Sequence, residues 1–276
     1  MKNNVCNVSS YGKTNVGPVR NNNEDNFFRS EINFILPDEN GVMQDERIGL
    51  YILCDGMGGH QKGEVASSAA VSELKRLLMG FMLSPNAINF EDFDELLVES
   101  IKQANDVVLK INEDEGIPPE ARRMGTTTVT ALFTGNRCFV AHVGDSRCYL
   151  VKNGAIKQLT EDHNLASYLL KSGIFKTKED AENARGGKSL TQALGPSDSS
   201  SLDPSTFSFD VDESCYLILC SDGLTDVVTD EEIASIVTSS RGNLKKTTEK
   251  LIKRAYKNKT ADNITIIAVR FDVDKK

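Results

Sequence analysis

Apolar runs that stop at acidic residues constrain this chain most. IGLYILC at 48–54 runs into Asp55, CFVAHVG at 138–144 into Asp145 and CYLILCS at 215–221 into Asp222, while Asp262 opens DNITIIAVRF. Runs of this length, rich in Ile, Leu, Val, Cys and Tyr and bounded by turn residues, read as buried β-strands. Acids at strand ends can converge on one sheet edge. Carboxylates crowded together raise each other's pKa and are stabilised by cations. An oxygen-only donor set suits hard divalent ions, Mg²⁺ or Mn²⁺. Metal-dependent phosphoryl transfer is the leading chemistry for such an arrangement.

The rest of the chain supplies covers for these strands. Residues 5–10 and 26–35 read as further strands around the polar segment NVGPVRNNNED. Helical spacing over 63–81 places Val65, Ala69, Ala70, Leu74, Leu77, Leu78 and Phe81 on one face. The same spacing over 91–112 aligns Phe93, Leu96, Leu97, Ile101, Ala104, Val108 and Ile111, and Pro85-Asn86 marks the connection. From 126 to 159, turns at Gly135-Asn136, Gly144-Asp145 and Asn153-Gly154 predict an antiparallel meander. Strands return at 206–211 and 215–221, helices follow at 230–239 and 243–257, and a strand closes the chain at 263–273. Segregated strands and paired helices predict an α+β fold, with helix pairs covering packed sheets. A single domain over 1–276 is expected, with a polar excursion at 163–200 carrying two short helical pieces.

Bulk properties exclude several classes. A formal net charge of -8 argues against a nucleic-acid backbone as partner. It leaves phosphorylated substrates open, because bound cations can reverse a local field. The six cysteines form no Cys-x-x-Cys pair and mostly sit in apolar runs, so they read as reduced structural thiols. The N-terminus carries no signal-peptide core, and no apolar run approaches the ~20 residues of a bilayer span. A cytoplasmic protein is expected.

Asp55-Gly56-Met57-Gly58-Gly59-His60 is the sharpest local motif. Glycine lets backbone approach an ion, so this segment can offer a carboxylate and a bare carbonyl; it also suits a plain strand-to-helix turn. Arg20 lies just before Glu24 and Asp25, a guanidinium fork suited to phosphate beside carboxylates able to accept from metal-bound water. A solvated polar loop is the alternative. Gly144-Asp145-Ser146-Arg147, Ser221-Asp222-Gly223 and Asp262-Asn263 could each be a turn or a strand boundary alone; together they are harder to dismiss. His142 reads as a packed mid-strand histidine and His163 as structural. Neither a Gly-x-Ser-x-Gly elbow nor a Walker A sequence is present, which removes serine hydrolase and P-loop ATPase chemistry.

In order along the chain, VRNNNED at 19–25, LCDGMGGH at 53–60, MGTTTVTAL at 124–132, AHVGDSRCYL at 141–150, LTEDHN at 159–164, LTQALG at 190–195, CSDGLTD at 220–226 and DNIT at 262–265 resemble the metal-dependent protein phosphatases, type 2C, in their bacterial-type form. The resemblance spans nearly the whole chain. It implies a central β-sandwich flanked by helix pairs, and hydrolysis of phosphoserine and phosphothreonine by a metal-bridging water, opposing serine/threonine kinase signalling. By the same resemblance, Asp55 bridges two Mn²⁺ or Mg²⁺ ions and the Gly56 carbonyl completes one shell. Asp222 and Asp262 bind the other ion, and Asp145 with Asp222 holds a third. Glu24 and Asp25 act through bound waters, Arg20 holds the substrate phosphate, and 163–200 is a flap beside the site. His60 is the candidate general acid, although the eukaryotic pattern places its histidine where Met57 stands here. Phosphorylated proteins, including a serine/threonine kinase and its targets, are the implied partners of a monomer. A two-metal nuclease and a catalytically silent binding module on the same fold are the competing readings.

Overall fold

The computed structural model describes residues 6–37, 43–58, 62–83, 92–119 and 121–273. Two antiparallel sheets stack face to face. One runs in the order β1(Cys6–Asn15), β11(Ile264–Val273), β10(Cys215–Cys220), β7(Arg147–Lys152), β8(Ala155–Gln158). The other runs β2(Asp25–Pro37), β3(Met43–Met57), β5(Thr128–Thr134), β6(Arg137–Val143), β9(Ser205–Asp210), with β4(Gly125–Thr126) paired to the end of β3.

The unbroken apolar runs are explained by burial on both faces. In β3, Tyr51 and Leu53 point into the space between the sheets, while Leu50, Ile52 and Cys54 point outward beneath the helices. In β11, Ile267, Val269 and Phe271 face inward and Ile264, Ile266 and Ala268 outward. Helices α1(Gly63–Met82) and α2(Phe93–Asp114) cover one outer face. Helices α6(Asp230–Ser239) and α7(Leu244–Lys257) cover the other. The α+β sandwich flanked by helix pairs is as expected.

Three expectations change in detail. The meander over 126–159 is split, because β5 and β6 pair in one sheet while β7 and β8 pair in the other. The chain crosses between sheets at Gly144-Asp145-Ser146, where Gly144 takes φ 101°, a conformation that favours glycine. The buried stripe of α1 is also rotated from the anticipated one. Val65 is exposed, and Gly63, Ala66, Ser67, Val71 and Met82 are buried with Ala70, Leu74 and Leu78. Small residues at 63, 66, 67 and 70 let the helix approach the sheet, and that contact sets the face. Finally, a short helix not anticipated, α5(Asp222–Thr225), begins at Asp222 itself.

Of the six cysteines, Cys54, Cys138, Cys148, Cys215 and Cys220 are buried. The side chain of Cys6, the Pro85-Asn86 connection and His60 lie outside the described residues. Among the described residues no helix is long and apolar enough to cross a membrane.

Candidate active site

One end of the sandwich collects the acids. Antiparallel register places Asp25, the first residue of β2, directly opposite Asp55 near the end of β3. Asp145 sits at the sheet crossing after β6, Asp222 follows β10, and Asp262 precedes β11. The strands that carry them run in alternating directions, and each acid falls at the end where the chain enters or leaves the same rim.

Backbone bonds fix the central pair. The Asp55 carbonyl accepts from Thr127 N at 2.8 Å and from Thr126 Oγ1 at 2.8 Å. Asp55 N donates to Thr127 Oγ1 at 3.1 Å, and that hydroxyl pairs with Ser146 Oγ at 2.7 Å, coupling Asp55 to the crossing that carries Asp145. Ser221 Oγ donates to Asp25 Oδ2 at 2.8 Å and accepts from Thr265 N at 2.9 Å. Among the described residues, Asp25 Oδ1 is buried with no hydrogen-bond partner. An orphaned carboxylate oxygen at such a place is costly unless something electropositive answers it.

Gly56 and Gly63 make the α1 entry tight. A Cβ on Gly56 would meet the Gly63 carbonyl oxygen at 2.1 Å, and one on Gly63 would meet the Glu24 carboxyl carbon at 2.7 Å. Gly56 N donates to the Glu24 carbonyl at 3.1 Å, and the Glu24 carboxylate accepts from Gly63 N. Thus Glu24, Gly56 and the start of α1 form one unit.

Asn263 organises the other flank. Its Oδ1 accepts from Glu24 N at 2.8 Å, and its Nδ2 donates to Val16 O at 2.8 Å and Asn22 O at 2.9 Å. The 16–24 loop is therefore pinned at both ends. From it Arg20 Nη2 donates to Asp262 Oδ2 at 2.6 Å with its side chain half exposed. The anticipated phosphate-binding arginine thus lies beside an anticipated metal ligand and is bonded to it.

The electrostatics are those of crowded anions. Burial drives the Asp55 carboxyl well above the usual range, and the charges of Asp25, Asp222, Asp145 and Asp262 add to it in that order. Asp222 is raised by burial and then by Asp145, Asp226, Asp262 and Asp25. Burial also pushes Asp145 up to about 7, with Asp162 adding, and Asp25 up to about 6. These carboxyls share one field. Among the described residues, however, no three acid, histidine or cysteine side chains are drawn into a closed cage. Oxygen donors on rigid strand ends, mutual repulsion and the orphaned Asp25 oxygen fit a hard divalent cation.

Further residues support the site: Arg147 and Asp162, to which the sequence assigned no role, and the two histidines read as packed and structural. Arg147 makes a buried fork to Asp162, with Nε to Oδ1 at 2.9 Å and Nη2 to Oδ2 at 2.6 Å. His142 and His163 stack with ring centroids 4.6 Å apart. His163 Nδ1 accepts from Gly144 N at 3.3 Å, so its proton sits on Nε2 toward Ser205 Oγ at 3.0 Å. Burial lowers His163 to about 4, which keeps it neutral. Both histidines thus support the Asp145 crossing, as a packed and a structural histidine should.

Residues 163–200 meet this rim at His163, whose N donates to the Gly144 carbonyl at 2.9 Å, and at Leu194, which pairs with Thr126. They contain α3(Leu165–Lys171) and α4(Lys178–Asn183). Their return strap is tied to α2 by two buried asparagines. Asn112 Nδ2 donates to Met124 O at 2.9 Å and Gly195 O at 3.1 Å, and Asn105 Oδ1 accepts from Gly195 N at 2.8 Å. Lys188 Nζ reaches Asp226 Oδ2 at 2.7 Å, one turn beyond Asp222.

The comparisons with known proteins agree with this geometry. The protein phosphatase 2C family model matches residues 16–168 and 198–264. The serine/threonine phosphatase stp of Listeria monocytogenes serotype 4b is 35% identical over 266 residues, covering 96% of both chains. Among solved structures, the phosphatase Stp1 from Staphylococcus aureus superposes with a TM-score of 0.77 at 29% identity, covering 100% of this chain and 98% of that one. The catalytic domain of the phosphatase PstP, solved in complex with two manganese ions, gives a TM-score of 0.75 at 27% identity over 97% of this chain and 100% of that one. Fold, rim and ordered motifs therefore lead to one conclusion: the chain belongs to the protein phosphatase 2C family.

Proposed function

We propose that this protein hydrolyses phosphoserine and phosphothreonine in other proteins, reversing the action of serine/threonine kinases in the cytoplasm as a monomer. The observation that carries it is the rim itself: five buried or half-buried carboxylates, at residues 25, 55, 145, 222 and 262, in one electrostatic field with an arginine at its edge. The Listeria relatives are named as serine/threonine phosphatases, and the PstP catalytic domain was solved with two manganese ions.

Asp55, Asp222, Asp262 and the Gly56 carbonyl would hold two Mn²⁺ or Mg²⁺ ions, with Asp145 and Asp222 available to a third. Bound ions of this kind supply a low-pKa water and charge neutralisation at phosphorus. The chain's own groups do the rest. Glu24 and Asp25 accept hydrogen bonds from ordered water at the rim. Arg20 offers a guanidinium that can leave Asp262 for a phosphate oxygen, stabilising charge that builds during in-line displacement. His60 would donate the proton to the departing serine or threonine oxygen. Residues 163–200 act as the flap of a single catalytic domain.

The discriminating experiment offers a phosphothreonine peptide, single-stranded DNA and a bis-aryl phosphodiester to the Mn²⁺-loaded protein. Turnover confined to the phosphopeptide is expected. Preferred cleavage of either diester would replace this reading with the nuclease one.

A further inference from the structure

We infer that the outer face of α7 is a docking track for acidic segments next to the phosphorylated residue of the protein substrate; this rests on the phosphatase reading. Residues 241–259 hold eight Lys and Arg against a single Glu, in a chain whose net charge is -8. The cations are not scattered. Lys246, Lys250, Lys253 and Lys257 follow the i, i+4, i+7, i+11 spacing that makes one helical stripe. Opposite them, Leu244, Thr247, Thr248, Leu251, Ile252 and Ala255 are buried against the sheet. Lys246, Lys253 and Lys257 are exposed, and Lys250 is half-buried with Nζ 3.5 Å from Ser239 Oγ. Among the described residues none of the four stands in an ion pair, whereas Arg254, off the stripe, pairs with Glu232 at 2.5 Å.

Helix stabilisation does not explain the row. Cations in the last turn of a helix complement its dipole, which accounts for Lys257. Lys246 lies in the first turn of α7, where a cation opposes the dipole and where no acidic residue is present. Four unpaired cations along one stripe also repel each other, a modest cost that an anionic partner would relieve.

The track leads to the active site. Tyr256 Oη donates to Asn15 Oδ1 at 2.7 Å, joining the last turn of α7 to the base of the Arg20 loop. Thr260 Oγ1 donates to the Gly223 carbonyl at 2.8 Å, and Asp262 follows two residues on. From Lys246 to Lys257 the stripe is about 16 Å long at 1.5 Å per residue, and an extended peptide covers that in roughly five residues. A phosphoresidue at the rim would therefore leave its acidic neighbours on α7. An acidic protein segment is favoured over an anionic membrane because the apolar side of α7 is committed to the core, so the helix has nothing to insert.

The test compares three phosphothreonine peptides with acidic, neutral or basic flanks, using Mn²⁺-loaded wild type and the variant Lys246→Glu/Lys250→Glu/Lys253→Glu/Lys257→Glu. A matching all-Arg variant keeps the charge. In wild type the acidic peptide should show roughly tenfold higher kcat/KM than the basic one, fading at high salt, since several exposed pairs each contribute a few tenths of a kcal/mol. The Glu variant should lose or invert that ratio with nitrophenyl phosphate turnover unchanged, and the Arg variant should keep it. Titration with a non-hydrolysable acidic peptide gives the same ratio as affinities, so a failure of hydrolysis itself would strike the phosphatase reading and leave this one measurable. Equal affinity and turnover for all flanks, or a preference that survives in the Glu variant, would overturn the track. Charge-dependent binding to anionic lipid vesicles with no peptide preference would assign the stripe to membranes and overturn it as well.

Discussion

The acid rim and the 163–200 segment are held in different ways. The rim acids are fixed by strand ends: Asp25 faces Asp55 in register, and the Asp55 carbonyl accepts two hydrogen bonds from the Thr126-Thr127 segment. The 163–200 segment carries two short helices, and its return strap is held by Asn105 and Asn112 of α2, by the Leu194–Thr126 backbone bridge and by the Lys188–Asp226 pair. The protein phosphatase 2C match covers the rim and lapses over 169–197, the body of the flap. A sheet makes a precise, unforgiving platform for charges that chemistry needs in fixed places. A segment joined to that platform at a few points can vary more in sequence.

That contrast breaks most severely at Asp55. Asp55→Asn should lower kcat/KM for a phosphothreonine peptide on the order of a thousandfold, since electrostatic stabilisation by bound cations contributes several kcal/mol. The same variant should raise the melting temperature of the metal-free protein, because it removes a half-buried carboxyl that desolvation and four neighbouring acids hold out of its ordinary range. A drop in both activity and stability would mean that Asp55 supports the fold rather than the reaction.

The flap tether gives the next effect. Asn112→Ala strands the Met124 amide and the carbonyls of Met124 and Gly195 in a buried place. About 3 kcal/mol of stability should be lost in denaturant unfolding. Hydrogen exchange should rise around 190–197 before it rises in β3. Uniform acceleration would show that flap and rim unfold as one unit.

Acidity sharpens the rim side. Asp25 and Asp145 hold protons to about pH 6 and 7, higher than an unfolded carboxyl does. Their raised values favour the fold in acid, and that contribution is lost as pH rises from about 4 through 7. Divalent cations should restore it. The melting-temperature gain on adding Mn²⁺ should therefore be larger at pH 7.5 than at pH 5, read by differential scanning fluorimetry. An equal gain at both would detach these carboxyls from the cation site.

The smallest effect belongs to Lys188. Its pair with Asp226 is mostly exposed, so Lys188→Ala should change global stability by less than about 1 kcal/mol. Faster exchange of flap amides with an unchanged melting curve is expected. A shift of several degrees would make that pair a structural tie.

The strands were legible because burial on both faces leaves continuous apolar runs, and Gly, Asn and Asp mark their ends. The acids were legible for the same reason, as charges at the borders of such runs. The sheet crossing at Gly144 was not, because a turn looks alike in sequence whether it returns to its own sheet or passes to another. The rotation of α1, with Val65 exposed and Ala66 buried, depends on small residues facing the sheet rather than on hydropathy alone. Asn105 and Asn112 were silent, and Asn263, Arg147 and Asp162 sat in motifs without an assigned role, since buried polar partners lie far apart in sequence and have no period.

One measurement bears most directly on the claim that the rim is a cation-dependent phosphatase centre. Protein stripped of metal with a chelator and dialysed is titrated with Mn²⁺ while phosphothreonine-peptide hydrolysis and heat of binding are followed together. Negligible turnover at the start, rising in step with filling of sites that Asp55→Asn and Asp222→Asn abolish, is the predicted result. Full turnover by the stripped protein, or Mn²⁺ binding that survives both substitutions, would contradict it.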